Sequence, residues 1–219
     1  MRKIIFYLLL FFLALKTFSQ DKDYFSTEFD ANYYYYFVGN NNSNNFNYGF
    51  SILISKYINK IKVSSGINYS TKSYNTQGDP FWLIEKREYN LDYLNFPIIT
   101  NIEIFSHRKF SSSVLTGFTF NQIVDYKIKS FYLNGETLIE DNLLNDKKLG
   151  LTFLLGTTFS KSIGNKWLLN LSPFINYKLI PDHNDQRPDY KNIPDDRVFL
   201  GFKIGIEYLT KNNININIA

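Results

Sequence analysis

Few residues of this sequence are suited to catalysis or metal binding. It contains two histidines and no cysteine. His107 stands in a predicted tight turn beside Arg108 and Lys109, where a solvated side chain is the expected state of histidine. His183 lies in a segment rich in aspartate, and clustered oxygens of this kind can hold Ca²⁺. Their spacing matches no calcium-binding loop, so the simpler interpretation is an exposed loop without a metal or cofactor.

A hydrolase would need a serine, a histidine and a carboxylate close to one another. Ser111 to Ser113 follow His107, but they run directly from a turn into a strand, and no partner acid is evident. The sequence also has no phosphate-binding loop, dinucleotide motif or zinc spacing. We therefore predict that the protein is not an enzyme, with a lipid-modifying enzyme as the alternative.

The N-terminus has the order of parts found in a secretory signal peptide. Two basic residues precede an apolar run over residues 4–15. Thr17 and Ser19 are small residues at the −3 and −1 positions of a cleavage site before Gln20. The apolar run is too short for a membrane-spanning helix, which needs about 20 residues. We predict that residues 1–19 are removed on export.

Charge argues against nucleic acid as a partner. The chain has a net charge of +4, and Arg2, Lys3 and Lys16 leave with the signal, so 4 − 3 leaves +1. No basic stripe appears later in the sequence to form a nucleic-acid footprint. The absence of cysteine removes the attachment residue of a bacterial lipoprotein. Export then leaves the periplasm, the medium or the outer membrane.

Apolar and polar residues alternate over most of the chain after residue 23, which is typical of strands with two different faces. The pattern predicts eight strands, at 24–37, 46–57, 61–74, 86–105, 109–124, 148–160, 166–180 and 197–209. Most reach the length of about 9–11 residues that a strand needs to cross a bilayer. An even number of strands suits a closed antiparallel barrel, which leaves no unpaired edge in lipid.

Long and short connections alternate along the chain. The long ones are 38–45, 75–85, 125–147 and 181–196, and the short ones lie near 58–60, 106–108 and 162–165. Outer-membrane barrels have short periplasmic turns and long extracellular loops in this way. Residues 20–219 are therefore predicted to form one all-β domain, an eight-stranded antiparallel up-and-down transmembrane β-barrel of the cell outer membrane.

The predicted fourth strand carries a family resemblance. Its sequence, YNLDYLNFPIITNIEIF, resembles the Y-x-L-x-Y-L-x-I-P-L signature of the PorT-like outer-membrane β-barrel domain family. The matching residues are Tyr89, Leu91, Tyr93, Leu94, Phe96, Pro97 and Ile98. Gly117 and the closing segment from Gly201 to Tyr208 are also similar, although the chain lacks the usual terminal aromatic residue. The resemblance implies an outer-membrane barrel, in some members a component of the type IX secretion apparatus.

Pro97 coincides with a change of phase in the alternation. Tyr89, Leu91 and Tyr93 are followed by apolar residues at even positions. Because proline removes a ladder donor and is tolerated at bulges, the sequence predicts a β-bulge at residues 94–97.

Charged residues on the polar faces are predicted to meet inside the barrel. Lys203 lies in the last strand and Asp30 in the first, and closing the barrel makes these strands neighbours. We expect Lys203 to meet Asp30, with Glu28 within reach and with Lys178 and Glu207 as further members. Charges in a low-dielectric lumen must be paired, so this network is structural rather than catalytic.

The sequence therefore favours a non-enzymatic outer-membrane barrel that presents long extracellular loops, as an envelope or secretion-associated component. Its expected partners are outer-membrane lipid and other envelope proteins. A narrow passive channel is a further alternative, disfavoured because eight strands close around side chains rather than water.

Overall fold

The structure is a computed structural model that describes residues 24–36, 46–77, 83–141, 149–180 and 197–210. Its strands are β1 (Phe25–Tyr36), β2 (Phe46–Ile58), β3 (Ile61–Gln77), β4 (Ile84–His107), β5 (Phe110–Tyr132), β6 (Thr137–Asp141), β7 (Leu149–Ile163), β8 (Trp167–Ile180) and β9 (Val198–Leu209). The described residues contain no helix of the length and apolarity needed to cross a membrane. The predicted cleavage site at Ser19 and Gln20 lies outside these ranges, as does His183.

All strand pairs are antiparallel, and β6 aside, the strands close into a ring of eight. The order around the ring is β1, β2, β3, β4, β5, β7, β8 and β9. β1 closes it by pairing with β9, from Ser26 opposite Leu209 to Tyr36 opposite Phe199. The predicted eight-stranded antiparallel barrel is therefore confirmed.

Three tight turns join strands at one end of the barrel. Asn59, Arg108 and Gly164 adopt left-handed backbone conformations there, with φ angles of 55°, 52° and 75°. Asn59 and Arg108 lie in two-residue hairpin turns, where such conformations match the right-handed twist of the flanking strands. Gly164 begins a three-residue turn between Ile163 and Trp167. We call this the short-turn end. The strand ends that flank the longer connections, such as Tyr36 and Phe46, lie at the opposite end, which we call the loop-side end.

The barrel is apolar outside and mainly polar inside. Phe50 and Ile104 on the outer wall are 62% and 65% exposed, whereas Glu28 and Lys203 on the inner wall are 1% and 6% exposed. Strand alternation alone does not distinguish this arrangement from that of a soluble barrel, but the exposure of the apolar face does. A wall of this composition is the lipid-facing surface of a transmembrane barrel.

The strands β4 and β5 are longer than the sequence pattern predicted, with 24 and 23 residues. The segment 125–147, predicted to be a loop, continues β5 to Tyr132 and then forms β6, which pairs with β5. Along β5, Gln122 lies opposite Leu149 of β7, and Lys127 lies opposite Asp141 of β6. β6 and β7 therefore lie in line beside β5.

The bulge predicted at residues 94–97 was wrong. Odd-numbered residues of β4 face inward without a break from Tyr89 to Asn101. The irregularity lies opposite, on β5, where Val124 and Asp125 are consecutive exposed residues beside a register shift. The backbone of β4 keeps its alternation, and only the polarity of its two faces changes.

This change of polarity marks the boundary of the apolar wall. On the short-turn side of this boundary, Leu94 and Ile98 face outward. On the loop side, the outward residues are Asp92 and Asn90. The inward residues on the loop side of the boundary form a buried apolar cluster of Tyr89, Leu91, Tyr93, Ile123, Tyr126 and Ile128. Apolar side chains face lipid within a membrane but must turn inward in water. Residues 84–93, 123–132 and β6 thus form a water-facing sheet, which we call the β4–β5 extension.

Candidate functional site

Five buried charged residues meet inside the barrel toward the short-turn end. They are Glu28, Asp30, Lys62, Lys203 and Glu207, which we call the lumen charge cluster. Glu28 and Asp30 come from β1, Lys62 from β3, and Lys203 and Glu207 from β9. Each stands on the polar face of its strand, so alternation alone directs it into the lumen.

The cluster is joined by close ion pairs. The Lys62 ammonium lies 2.7 Å from a Glu28 carboxylate oxygen and 2.6 Å from one of Glu207. The Lys203 ammonium lies 3.4 Å from Glu28 and 3.4 Å from Asp30. Glu28 thus contacts both cations. The cluster has three carboxylates and two ammonium groups, so its negative and positive charges nearly balance, as burial requires.

Neutral groups satisfy further oxygens of the acids. The Asn170 amide on β8 donates hydrogen bonds to Glu28 at 2.7 Å and to Glu207 at 2.9 Å. The Tyr57 hydroxyl donates to Glu207 at 2.8 Å, and the Ser26 hydroxyl also donates to Glu207. Charged groups held by several hydrogen bonds in this way form a rigid network.

A glycine makes room for the acids. Gly205 lies directly opposite Asp30 in the β1–β9 pair. A Cβ at this position would lie 2.0 Å from the Asp30 Oδ1 atom and 3.0 Å from the Glu28 Oε1 atom. Gly205 is therefore part of the site.

The structure brings together four of the five residues that were proposed for the network. The predicted neighbours Lys203 and Asp30 are in contact, and Glu28 and Glu207 lie beside them. Lys178 instead lines a cavity on the loop side of the cluster. Lys62 alternates with the apolar Ile61 and Val63 in the predicted third strand, but it was not among the residues predicted for the network.

Two small cavities lie on either side of the cluster. The loop-side cavity has a volume of about 70 Å³ and is lined by Lys203 among others. The cavity at the short-turn end has a volume of about 140 Å³ and is lined by Lys62. The loop-side cavity also meets a buried apolar cluster of Tyr34, Leu53, Ile99, Leu115, Leu154, Phe174 and Phe199. Packed side chains thus fill the lumen between the two spaces.

The described residues form no catalytic triad. Ser111 and Ser113 line the short-turn cavity together with Glu103. His107 is exposed and stacks on Phe105, with ring centroids 6.3 Å apart, and it is not among the residues that line this cavity. Within the described ranges, no group of three His, Cys, Asp or Glu side chains is placed to hold a metal ion.

Comparisons with known proteins agree with this architecture. No protein-family model matches the sequence, and no curated protein does. The chain is similar to the crystal structure of a major outer membrane protein from Thermus thermophilus, with 12% identity and a TM-score of 0.54, over 86% of this chain and 100% of that one. It also matches Neisserial surface protein A, with 11% identity and a TM-score of 0.49, over 84% and 96% of the chains. With its apolar outer wall, the chain has the fold of an eight-stranded outer-membrane β-barrel.

Proposed function

We propose that this protein is a non-enzymatic, non-conducting outer-membrane barrel that binds a partner through its loop-side end. The observation that carries the proposal is the lumen charge cluster, which closes the interior between two small cavities. Function then lies with the surfaces at the ends of the barrel rather than with passage through it.

Passage of an ion would require the cluster to come apart. The Lys62 ammonium would have to leave both Glu28 and Glu207, at 2.7 and 2.6 Å, within a buried site. Separating such a pair leaves uncompensated buried charge, which costs about 3–5 kcal/mol. The loop-side cavity of about 70 Å³ has room for only a few water molecules.

The β4–β5 extension supplies a preformed surface at the loop-side end. Its inner face is the apolar cluster around Tyr89 and Tyr126, and its outer face is mostly polar on β4 and β5. On this outer face Lys86 pairs with Glu88 at 2.7 Å, and Lys129 lies 4.7 Å from the ring centroid of Phe131. A surface that is ordered before binding loses less entropy when a partner docks. We therefore assign partner binding to this sheet and to the loops beside it.

The resemblance of residues 89–105 to the PorT-like barrels supports an envelope protein as the partner. In that family some members belong to a secretion apparatus, and the same role is proposed here. Lipid around the apolar wall is the second proposed partner.

Conductance and topology test the proposal together. Purified protein in planar bilayers should show no steady ion conductance. On intact cells, epitope tags at residues 42, 135 and 185 should be labelled, and a tag at Gly164 in a short turn should not. Steady conductance would contradict the sealed lumen, and labelling at Gly164 alone would invert the orientation.

Partner binding needs a separate experiment. A photo-crosslinking residue at position 88 or 129 of the β4–β5 extension should capture a defined envelope protein in living cells. The matched control carries the same residue at position 164. Equal capture from all three positions would contradict a binding role for the extension.

A further inference from the structure

The short-turn end carries an excess of positive charge. Its exposed or half-buried cations are Lys60, Arg108, Lys109, Lys161 and Lys166. Outside the buried lumen charge cluster, Glu103 is the acid of the described residues near them, and it lines the cavity at the short-turn end. None of these cations lies within 4.0 Å of a carboxylate of the described residues. At the loop-side end, by contrast, Lys86 pairs with Glu88.

Two of these cations lie against aromatic rings on the outer wall. The Lys161 ammonium is 5.4 Å from the ring centroid of Phe110, and that of Lys166 is 5.9 Å from Tyr208. Trp167 follows Lys166 and packs against Tyr208, with centroids 4.9 Å apart. We call Phe110, Lys161, Lys166, Trp167 and Tyr208 the basic–aromatic rim.

The strand pairing places these residues along one arc of the barrel. Phe110 of β5 lies opposite Lys161 of β7, and Trp167 of β8 lies opposite Tyr208 of β9. The rings of Phe110 and Trp167 remain 56% and 45% exposed. The arc therefore presents two ammonium groups and several aromatic rings to the surroundings of the barrel, at the short-turn edge of the apolar wall.

Each component of the rim suits the headgroup layer of a membrane. Tryptophan and tyrosine favour the interface, where a ring meets acyl chains and its polar atom meets water. Lysine lays its apolar stem along the wall and holds its ammonium at headgroup level. Cations without protein carboxylates nearby attract anionic headgroups, and each lysine raises the binding constant by about fivefold.

From this arrangement we propose that the basic–aromatic rim binds the phosphate headgroups of anionic phospholipids. The inference rests on the membrane-spanning part of the proposed function and not on partner binding at the loops. In the orientation proposed above, the lipid belongs to the periplasmic leaflet. Phosphatidylglycerol is the probe chosen here, because its headgroup has one net negative charge where phosphatidylcholine has none.

Trp167 provides a local reporter of this binding. The chain has two tryptophans, so Trp82→Phe leaves fluorescence from Trp167 alone. This protein is reconstituted into bilayers in which phosphatidylglycerol or phosphatidylcholine carries brominated acyl chains, which quench nearby tryptophan. The anionic lipid should displace the zwitterionic lipid with a several-fold preference, and K161Q/K166Q should lose that preference.

Matched variants decide the outcome. K161R/K166R keeps both charges and should keep the preference for the anionic lipid. K127Q/K129Q removes two lysines from the β4–β5 extension instead of the rim and should also keep this preference. Retention of the preference by K161Q/K166Q, or an equal loss in K127Q/K129Q, would overturn the proposal. If neither brominated lipid quenches Trp167, the membrane-spanning barrel itself is wrong, which separates that failure from the failure of lipid selectivity.

Discussion

The Lys62 ammonium lies 2.6 Å from the Glu207 carboxylate, although the two residues are 145 positions apart in the sequence. Their strands, β3 and β9, are not neighbours, because β2 and β1 stand between them in the ring. The ion pair therefore crosses the lumen instead of following the wall. It ties together parts of the barrel that share no backbone hydrogen bonds.

Lys62→Met should lower the free energy of unfolding by about 3–5 kcal/mol, because Glu207 would lose its ion pair and Glu28 one of its two cations in a buried site. Urea unfolding of the barrel in lipid vesicles measures the change. Lys60→Met, in the adjacent exposed turn, serves as the control and should change stability by less than about 0.5 kcal/mol. Equal effects of the two substitutions would contradict the assignment of Lys62 to the cluster.

Lys203→Met should also destabilise by about 3–5 kcal/mol, because Lys203 is the cation in contact with Asp30. The double variant with Asp30→Asn should cost much less than the sum of the two single variants, with a coupling of about 0.5–3 kcal/mol. The same vesicle unfolding measurement gives all terms of the cycle. Additive effects would show that the two residues do not act as a pair.

The boundary of the apolar wall is testable on one face of β4. Ile98 faces outward within the wall and Asn90 faces outward on the β4–β5 extension. Ile98→Arg should destabilise by about 2–4 kcal/mol because it places a charge near the bilayer midplane. Asn90→Arg should have little effect, because that position faces water. Similar losses of stability in vesicles at both positions would place the boundary elsewhere.

Gly205→Ala should disturb the cluster from the opposite strand. The added Cβ would lie 2.0 Å from the Asp30 Oδ1 atom, so a charged side chain must shift out of its contacts. We expect a loss of about 1–3 kcal/mol in the free energy of unfolding, as for other overpacked sites. Asp30→Ala should remove the closest steric conflict, so Gly205→Ala should cost less in that background. An unchanged cost would exclude Asp30 as the obstacle.

The N-terminus of the mature protein remains a sequence prediction. Cleavage after Ser19 should leave Gln20, within two residues, as the first residue of protein purified from membranes. Edman sequencing or intact mass measurement reads this directly. Retention of Met1 in the membrane fraction would rule out a cleaved signal.

Much of the fold was predictable because the bilayer imposes strict alternation on each strand. The polar faces of β1 and β9 identified Glu28, Asp30, Lys203 and Glu207 from the sequence alone. The partner Lys62 was on a predicted polar face as well. Its contacts were not predictable, because the tilt of the strands decides which lumen residues lie at one height, and sequence spacing does not give that stagger.

Two errors share a physical cause. The change of phase near Pro97 was interpreted as a bulge because one environment was assumed along the whole strand. β4 instead passes from lipid to water, and its apolar face changes sides at the boundary. β6 was missed for a related reason, because it lies in the part of the sheet that faces water, and Thr137, Leu138 and Ile139 are consecutive exposed residues.

The origin of the cluster in the first and last strands also has a consequence for assembly. Glu28 and Asp30 emerge at the start of the mature barrel, whereas Lys203 and Glu207 are among the last residues to join it. The Glu28–Lys62 pair joins β1 and β3, but Lys203 cannot reach Glu28 or Asp30, and Glu207 cannot reach Lys62, until β9 joins β1. Closure of the ring therefore completes three of the four ion pairs of the cluster, and a β9 that joined β1 out of register would leave buried charges without these partners. The full set of ion pairs in the cluster thus depends on the correct register of the β1–β9 seam.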